Sequence, residues 1–219
     1  MIRSLILTGA VALFIWNPYP LQYLELKGYD TLIMSTETVQ NENILIVDLD
    51  EDLVKAYEGY PLPRSLYAEL ITKTNAVPGI TVLMPDPDIR GKENDLLLSN
   101  TMREVPTVLA SAASAQTSEQ GLHVGTAQLG EDPLPWLYQY QGILRTESIL
   151  ELNRKGLGLV TATPEIDGVT RRIPLVVNVQ SKLYPAFALE LLRLAVNDPS
   201  YQLKTTLEGI DWIRVPSYP

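Results

Sequence analysis

The chain has no cysteine, one histidine and only two phenylalanines in 219 residues. Without cysteine there can be no disulfide, thiol nucleophile, zinc–thiolate site or haem–thiolate chemistry. Any bound metal would have to be a hard cation held by oxygens. The single histidine, His123, has no Gly-x-Ser-x-Gly elbow to supply a nucleophile, so a structural histidine is the expected reading. Basic clusters are lacking too: 17 Lys and Arg stand against 26 Asp and Glu, a formal charge of -9. Phosphate backbones are bound mainly by clustered Lys and Arg, so nucleic acid is excluded as a partner. The glycines of "KGLGLV", Gly156 and Gly158, lack the third glycine and the Lys-Ser/Thr pair of a phosphate loop. No cofactor, no metal and no catalytic residue is expected.

What is present is an ordinary folding composition, 46% hydrophobic and 20% charged, with length for one domain or at most two. The opening "MIRSLILTGAVALFIW" carries Arg3 and then an apolar run from Leu5 to Trp16, stopped by "NPYP". The run falls short of the roughly 20 residues that span a bilayer, yet no small-x-small cleavage site follows and an aromatic end suits a membrane interface. Arg3 before the run places the N-terminus in the cytoplasm and the remainder outside. Residues 1–17 are therefore read as a transmembrane anchor and 18–219 as the extracytoplasmic domain. The competing reading is a buried N-terminal helix of a soluble protein.

Downstream, "LQYLELKGYDTLIMS" spaces Leu21, Leu24, Gly28 and Leu32 near helical period. Ile44 to Val47 are consecutive apolar residues, the pattern of a strand buried on both faces. Helices are expected in "LPRSLYAELITKTNA", with Pro63 at a first helical position, in "KENDLLLSNTMRE", in "TESILELNRKG" with Thr146 as N-cap, and in "YPAFALELLRLAVN", apolar on most sides. "GITVLMP", "VPTVLAS", "LHVGTAQL", "LGLVTAT" and "RRIPLVVNV" read as strands, "SAASAQTSEQG" as an exposed loop, and "GIDWIRVPSYP" as the start of a further strand. This order predicts an α/β fold: a mainly parallel central sheet flanked by helices, extended by an antiparallel hairpin, behind an N-terminal membrane helix.

Two acidic strand ends follow from that order. "ILIVDLDED" puts Asp48, Asp50, Glu51 and Asp52 after one strand, and "VLMPDPDIR" puts Asp86 and Asp88 after the next. Neighbouring parallel strands lie about 5 Å apart and open α/β sheets bind ligands at this edge, so the carboxylates are expected to converge. Several chemistries compete for them. Asp48 and Asp50 match the Asp-x-Asp of haloacid-dehalogenase phosphatases, but the later Lys and acidic pair have no counterpart. A calcium loop would need a glycine at its sixth position and a distal Glu. The cluster could also hold a cationic ligand or pair with internal arginines, or consist only of solvated turns and helix caps. In "PEIDGVTRRIPLVVNV", strand alternation sends Arg171 and Arg172 to opposite faces, and Pro174 confines the strand to an edge or to its first residues. One arginine is then expected to be paired by an acid such as Asp48 or Asp167.

Four segments in order, "LELKGYDTLI", "ILIVDLDEDLVKAYEGYPLPRSLYAELI", "GLGLVTATPEIDGVTRRIPLVV" and "YPAFALELLRL", resemble the CHASE extracellular sensory domain, type two. The resemblance spans roughly residues 18 to 196. It is most specific at Pro61, Pro63 and Arg64 and in the run Asp167, Gly168, Val169, Arg171, Arg172 and Pro174. It implies an extracytoplasmic α/β sensor behind a transmembrane helix, a homodimer, and a cytoplasmic cyclase or kinase output beyond the present residues. The partner it implies is an unidentified small-molecule or protein signal. "VPGITVLMPDPDIR" departs from the family's usual single Asp after the second strand, so Asp86 inherits no role. Candidate ligand contacts are Asp48, Asp50, Asp86, Arg64, Arg171 and Arg172. The alternatives are a membrane-anchored magnesium-dependent phosphatase and a non-catalytic dimerisation module.

Overall fold

The computed structural model describes residues 9, 11–37, 41–118 and 124–218. Most of the N-terminal run before Val11, His123 and the end of the 111–121 loop fall outside them. The chain divides into two compact units, residues 1–49 with 164–171, and 50–163 with 172–219.

In the first unit residues 11–16 are helical, Asn17 takes a left-handed φ of 42°, and helix α1 runs Tyr19–Met34 behind Pro18. Proline fits there because the first helical amides have no partner to lose. No α1 residue is buried, and Leu24 and Leu32 are exposed. Among the described residues no helix is long and apolar enough to cross a membrane. The expected strand at Ile44–Val47 does not form: the four side chains are 58–85% exposed and the segment joins no ladder. An apolar run specifies which side chains seek cover, but a strand also needs a neighbour for its amides and carbonyls, and none is supplied. The adjacent strand ends that were to bring Asp48, Asp50 and Asp86 together are therefore not built. Residues 164–171 make a tight loop in which the Gly168 amide donates to the Glu165 carbonyl, with Gly168 at φ 79°.

The second unit begins with α2 (Glu51–Ala56) and α3 (Arg64–Thr72), then strand β1 (Gly79–Ile80) and α4 (Lys92–Glu104). Strands β2 (Val108–Ser111), β3 (Ala113–Ser114), β4 (Gly125–Gly130), β5 (Gln139–Tyr140) and β6 (Gly142–Ile143) follow. Then come α5 (Ser148–Glu151), β7 (Gly156–Leu159), β8 (Val176–Val179), β9 (Lys182–Pro185), α6 (Phe187–Ala195), β10 (Ser200–Thr206) and β11 (Gly209–Arg214). In place of one mainly parallel sheet there are four small ones. Order β1-β2-β7 is wholly parallel; β4-β10-β11 and β5-β8-β9 are mixed; β3-β6 is antiparallel. A parallel pair requires a crossover of a dozen or more residues; β4 and β5 follow one another more closely than that and pair instead with the distant β10 and β8. The "exposed loop" at 111–121 accordingly contributes β3 to a ladder.

The parallel sheet is covered by α6, and glycines make the approach close. A Cβ on Gly158 would run into the Phe187 backbone, and one on Gly156 would meet Glu190 Oε1 at 2.7 Å. Leu98, Met102, Val108 and Leu150 are fully buried in the core. α4 buries Asp95, Leu98, Ser99 and Met102, one face at three- and four-residue spacing. On α6 the buried positions include Glu190 and Arg193 as well as Leu189, so that helix is less purely apolar than its sequence suggests. Arg193 donates to Glu190 from Nε and Nη2, each at 2.9 Å, and the Tyr201 hydroxyl donates to the same carboxylate. Burial, with the Glu190 charge beside it, pushes the Tyr201 phenol far above its usual range. Two boundaries also shift. Glu147 rather than Thr146 caps α5, and β8 starts at Val176, after Pro174, in the middle of its sheet rather than at an edge.

Candidate functional site

The second unit holds a cavity of about 210 Å³ between the segment that enters α3 and the one that leaves β1. Leu62, Val82, Leu83 and Met84 give it apolar walls, and Asp86, Arg64, Tyr60 and Tyr67 supply its polar groups. Arg64 is held from several sides. Its Nε lies 2.8 Å from Asp95 Oδ1, Nη2 donates to the Asp86 carbonyl, and its backbone amide donates to Asp88 Oδ2 at 2.7 Å. Because Pro63, at the N-cap of α3, has no side chain with which to cap, the Asp88 carboxylate satisfies the first helical amide from a distant segment. Asp95 Oδ2 accepts from the Asp88 amide at 2.9 Å and closes the network. Arg90 ties down the facing rim by donating to the carbonyls of Tyr57 at 2.8 Å, Gly59 at 3.1 Å and Pro61.

Within this frame one polar group is left over. Tyr67 is 5% exposed, and its hydroxyl has no hydrogen-bond partner among the described residues. Burial, and then the neighbouring Tyr60, push its phenol up to about 12, against a smaller opposing pull from Arg64. The cavity thus offers a neutral donor inside apolar walls and the exposed Asp86 at its mouth. Asp50 is occupied otherwise: its Oδ1 accepts from the Leu53 amide at 2.9 Å and caps α2, one of the readings its sequence left open. Asp48 is exposed on the extended segment of the first unit.

The arginine pair divides. Arg172 is exposed, whereas the Arg171 side chain is 4% exposed at the centre of an acidic cluster in the first unit. Arg171 Nε and Nη2 lie 2.6 and 2.8 Å from the two Asp30 oxygens, and Nη1 and Nη2 lie 2.9 and 2.7 Å from those of Asp167. Lys27 adds a contact to Asp167 at 3.6 Å, and Glu165 lies 3.5 Å from Nη1. Two bidentate pairs on one guanidinium use the planar fork that lysine lacks. Arg171 holds the Asp167 and Asp30 carboxyls below the usual carboxylate range, and they in turn hold the Arg171 guanidinium above its own.

Sequence reasoning names Arg64 and Asp86 as candidate contacts and leaves one of Arg171 and Arg172 to pair with an acid such as Asp48 or Asp167; Arg64 and Asp86 line one cavity, and Arg171 pairs with Asp167. It singles out Asp88 as a strand-end acid but not as the partner of the Arg64 amide; it misses Tyr67, Asp95 and Arg90, and also Asp30, which is 141 positions from Arg171. The one available signal was Asp95, an acid in the first turn of a well-defined helix. No spacing rule links it to Arg64. No curated protein and no solved structure matches the chain. The family model of the CHASE2 domain matches residues 6–218, essentially all of it. The chain therefore belongs to the CHASE2 domain family, whose members are sensory, non-catalytic domains of signalling receptors.

Proposed function

We propose that the chain is the extracytoplasmic signal-input domain of a transmembrane receptor. It works as a homodimer behind an N-terminal membrane helix and ahead of a cytoplasmic cyclase or kinase output. The observation that supports this best is the Arg171 clamp. It bonds α1, the helix that follows the apolar N-terminal segment, to the run Asp167–Arg171, where the sequence most specifically resembles the family. Such a joint gives a rearrangement of the loop at residues 164–171 a direct path into α1.

The signal is read by binding. A ligand or partner protein that contacts Tyr67 and Asp86 at the cavity, with Arg64 fixing the entrance of α3, would favour one of two arrangements. The size of the response is set by the difference in affinity between them. No nucleophile is required.

The absence of cysteine makes the placement directly testable. Glu208, at the exposed turn between β10 and β11, is changed to Cys, and intact cells are treated with a membrane-impermeant maleimide. Labelling of the Glu208→Cys chain in intact cells is expected. Labelling only after the cells are permeabilised would overturn the extracytoplasmic reading.

A further inference from the structure

A second cleft, of about 350 Å³, lies where β5 meets the β8–β9 turn, and it shares no lining residue with the cavity at Tyr67. Its lining is chemically uniform in a way the first is not: every polar group in it is an uncharged amide or hydroxyl. Gln139, Gln141, Gln180 and Asn178 supply amides, Thr117 and Ser181 hydroxyls, and Tyr140 an aromatic ring. An amide carries both a donor and an acceptor, and a hydroxyl can act as either.

Two independent features show that these groups are held in place for something. Asn178 is only 7% exposed, yet its side-chain oxygen accepts no hydrogen bond among the described residues. A buried amide oxygen without a partner is costly, and native chains rarely keep one. Its backbone leaves no slack: the Asn178 amide donates to the Tyr138 carbonyl at 2.9 Å, and the residue sits in register with Gln139 on one side and Leu183 on the other.

The second feature is the turn. Gln180 and Ser181 stand at φ 51° and 64°, both in the left-handed region that hairpin turns normally fill with Asn-Gly. A Gln-Ser pair there is strained. It presents one amide and one hydroxyl to the cleft where Asn-Gly would present a single side chain. The turn is fastened by Gln180 Nε2 donating to the Gln141 carbonyl at 2.7 Å.

We infer that this cleft binds a neutral polyhydroxylated ligand, a sugar or cyclic polyol. Vicinal hydroxyls match amide groups that donate and accept side by side, and the Tyr140 ring offers an apolar surface to the C–H face of a sugar. A charged ligand would find no counter-ion among these side chains, and a purely apolar one would leave them unpaired. The inference concerns binding alone and stands whether or not the chain signals.

The test is isothermal titration of the full chain in detergent with glucose, galactose, N-acetylglucosamine and myo-inositol, and with gluconate and trialanine as charged and peptide comparators. At least one neutral polyol is expected to bind saturably and more tightly than either comparator. The double variant Gln139→Ala/Gln141→Ala changes only exposed side chains and is expected to keep its thermal midpoint while losing affinity about ten-fold or more, as expected when paired hydroxyls lose their partners. Asn178→Leu is expected to abolish binding. Absence of binding by all four polyols would overturn the assignment, as would tighter binding of gluconate or trialanine. Undiminished polyol affinity in the folded double variant would overturn it too.

Discussion

Glu190 is the centre of one buried polar network. It is fully buried, accepts two hydrogen bonds from Arg193 and one from Tyr201, and packs its side chain against Gly156. Removing one member of a buried pair leaves the other charged and uncompensated, so Glu190→Ala should cost about 3–5 kcal/mol, measured as a lower denaturant midpoint. The Arg171 cluster behaves differently because its acids, Asp30 and Asp167, are held below their ordinary 3.8 by the guanidinium between them. Their contribution is therefore complete above about pH 4 and is lost as pH falls through the depressed folded values. Asp167→Asn should be less stable than wild type at pH 7, and the gap between them should close as pH drops from 4 toward 2. A gap that stays constant across that window would remove the cluster from the stability account.

Among the elements, α6 packs on the parallel sheet in a contact that leaves no room for added volume. Gly158→Ala places a methyl against the Phe187 backbone, which cannot swing away as a side-chain tip could. Overpacking of this kind should cost about 1–3 kcal/mol, read from thermal unfolding. This contact also shows where the sequence stopped being legible. "KGLGLV" was readable as a strand, and α4 emerged at Lys92–Glu104 as its periodicity and composition implied. Such features are local, set by residues three or four apart. Why the strand carries glycines depends on a helix some thirty residues later, which periodicity does not encode. The same limit explains Ile44–Val47, where apolar composition announced a strand but could not supply the neighbour that makes one. It explains Arg64 as well: its type and position stood out, while its partners Asp88 and Asp95 were found only in the fold.

At the scale of the whole molecule, the chain belongs to a family of sensory domains, and Arg171 in the loop at residues 164–171 grips α1 through Asp30. If that grip transmits the signal, breaking it should disconnect input from output without unfolding the domain. The most direct measurement is the output activity of the intact receptor in native membranes, compared for wild type, Arg171→Gln, Asp30→Asn and the double variant. Coupling energies in such systems correspond to changes of about five-fold or more. Each single variant is predicted to shift output by that order, and the double variant is predicted to shift it no further, because both substitutions break one interaction. Wild-type output from all three folded variants would contradict the account.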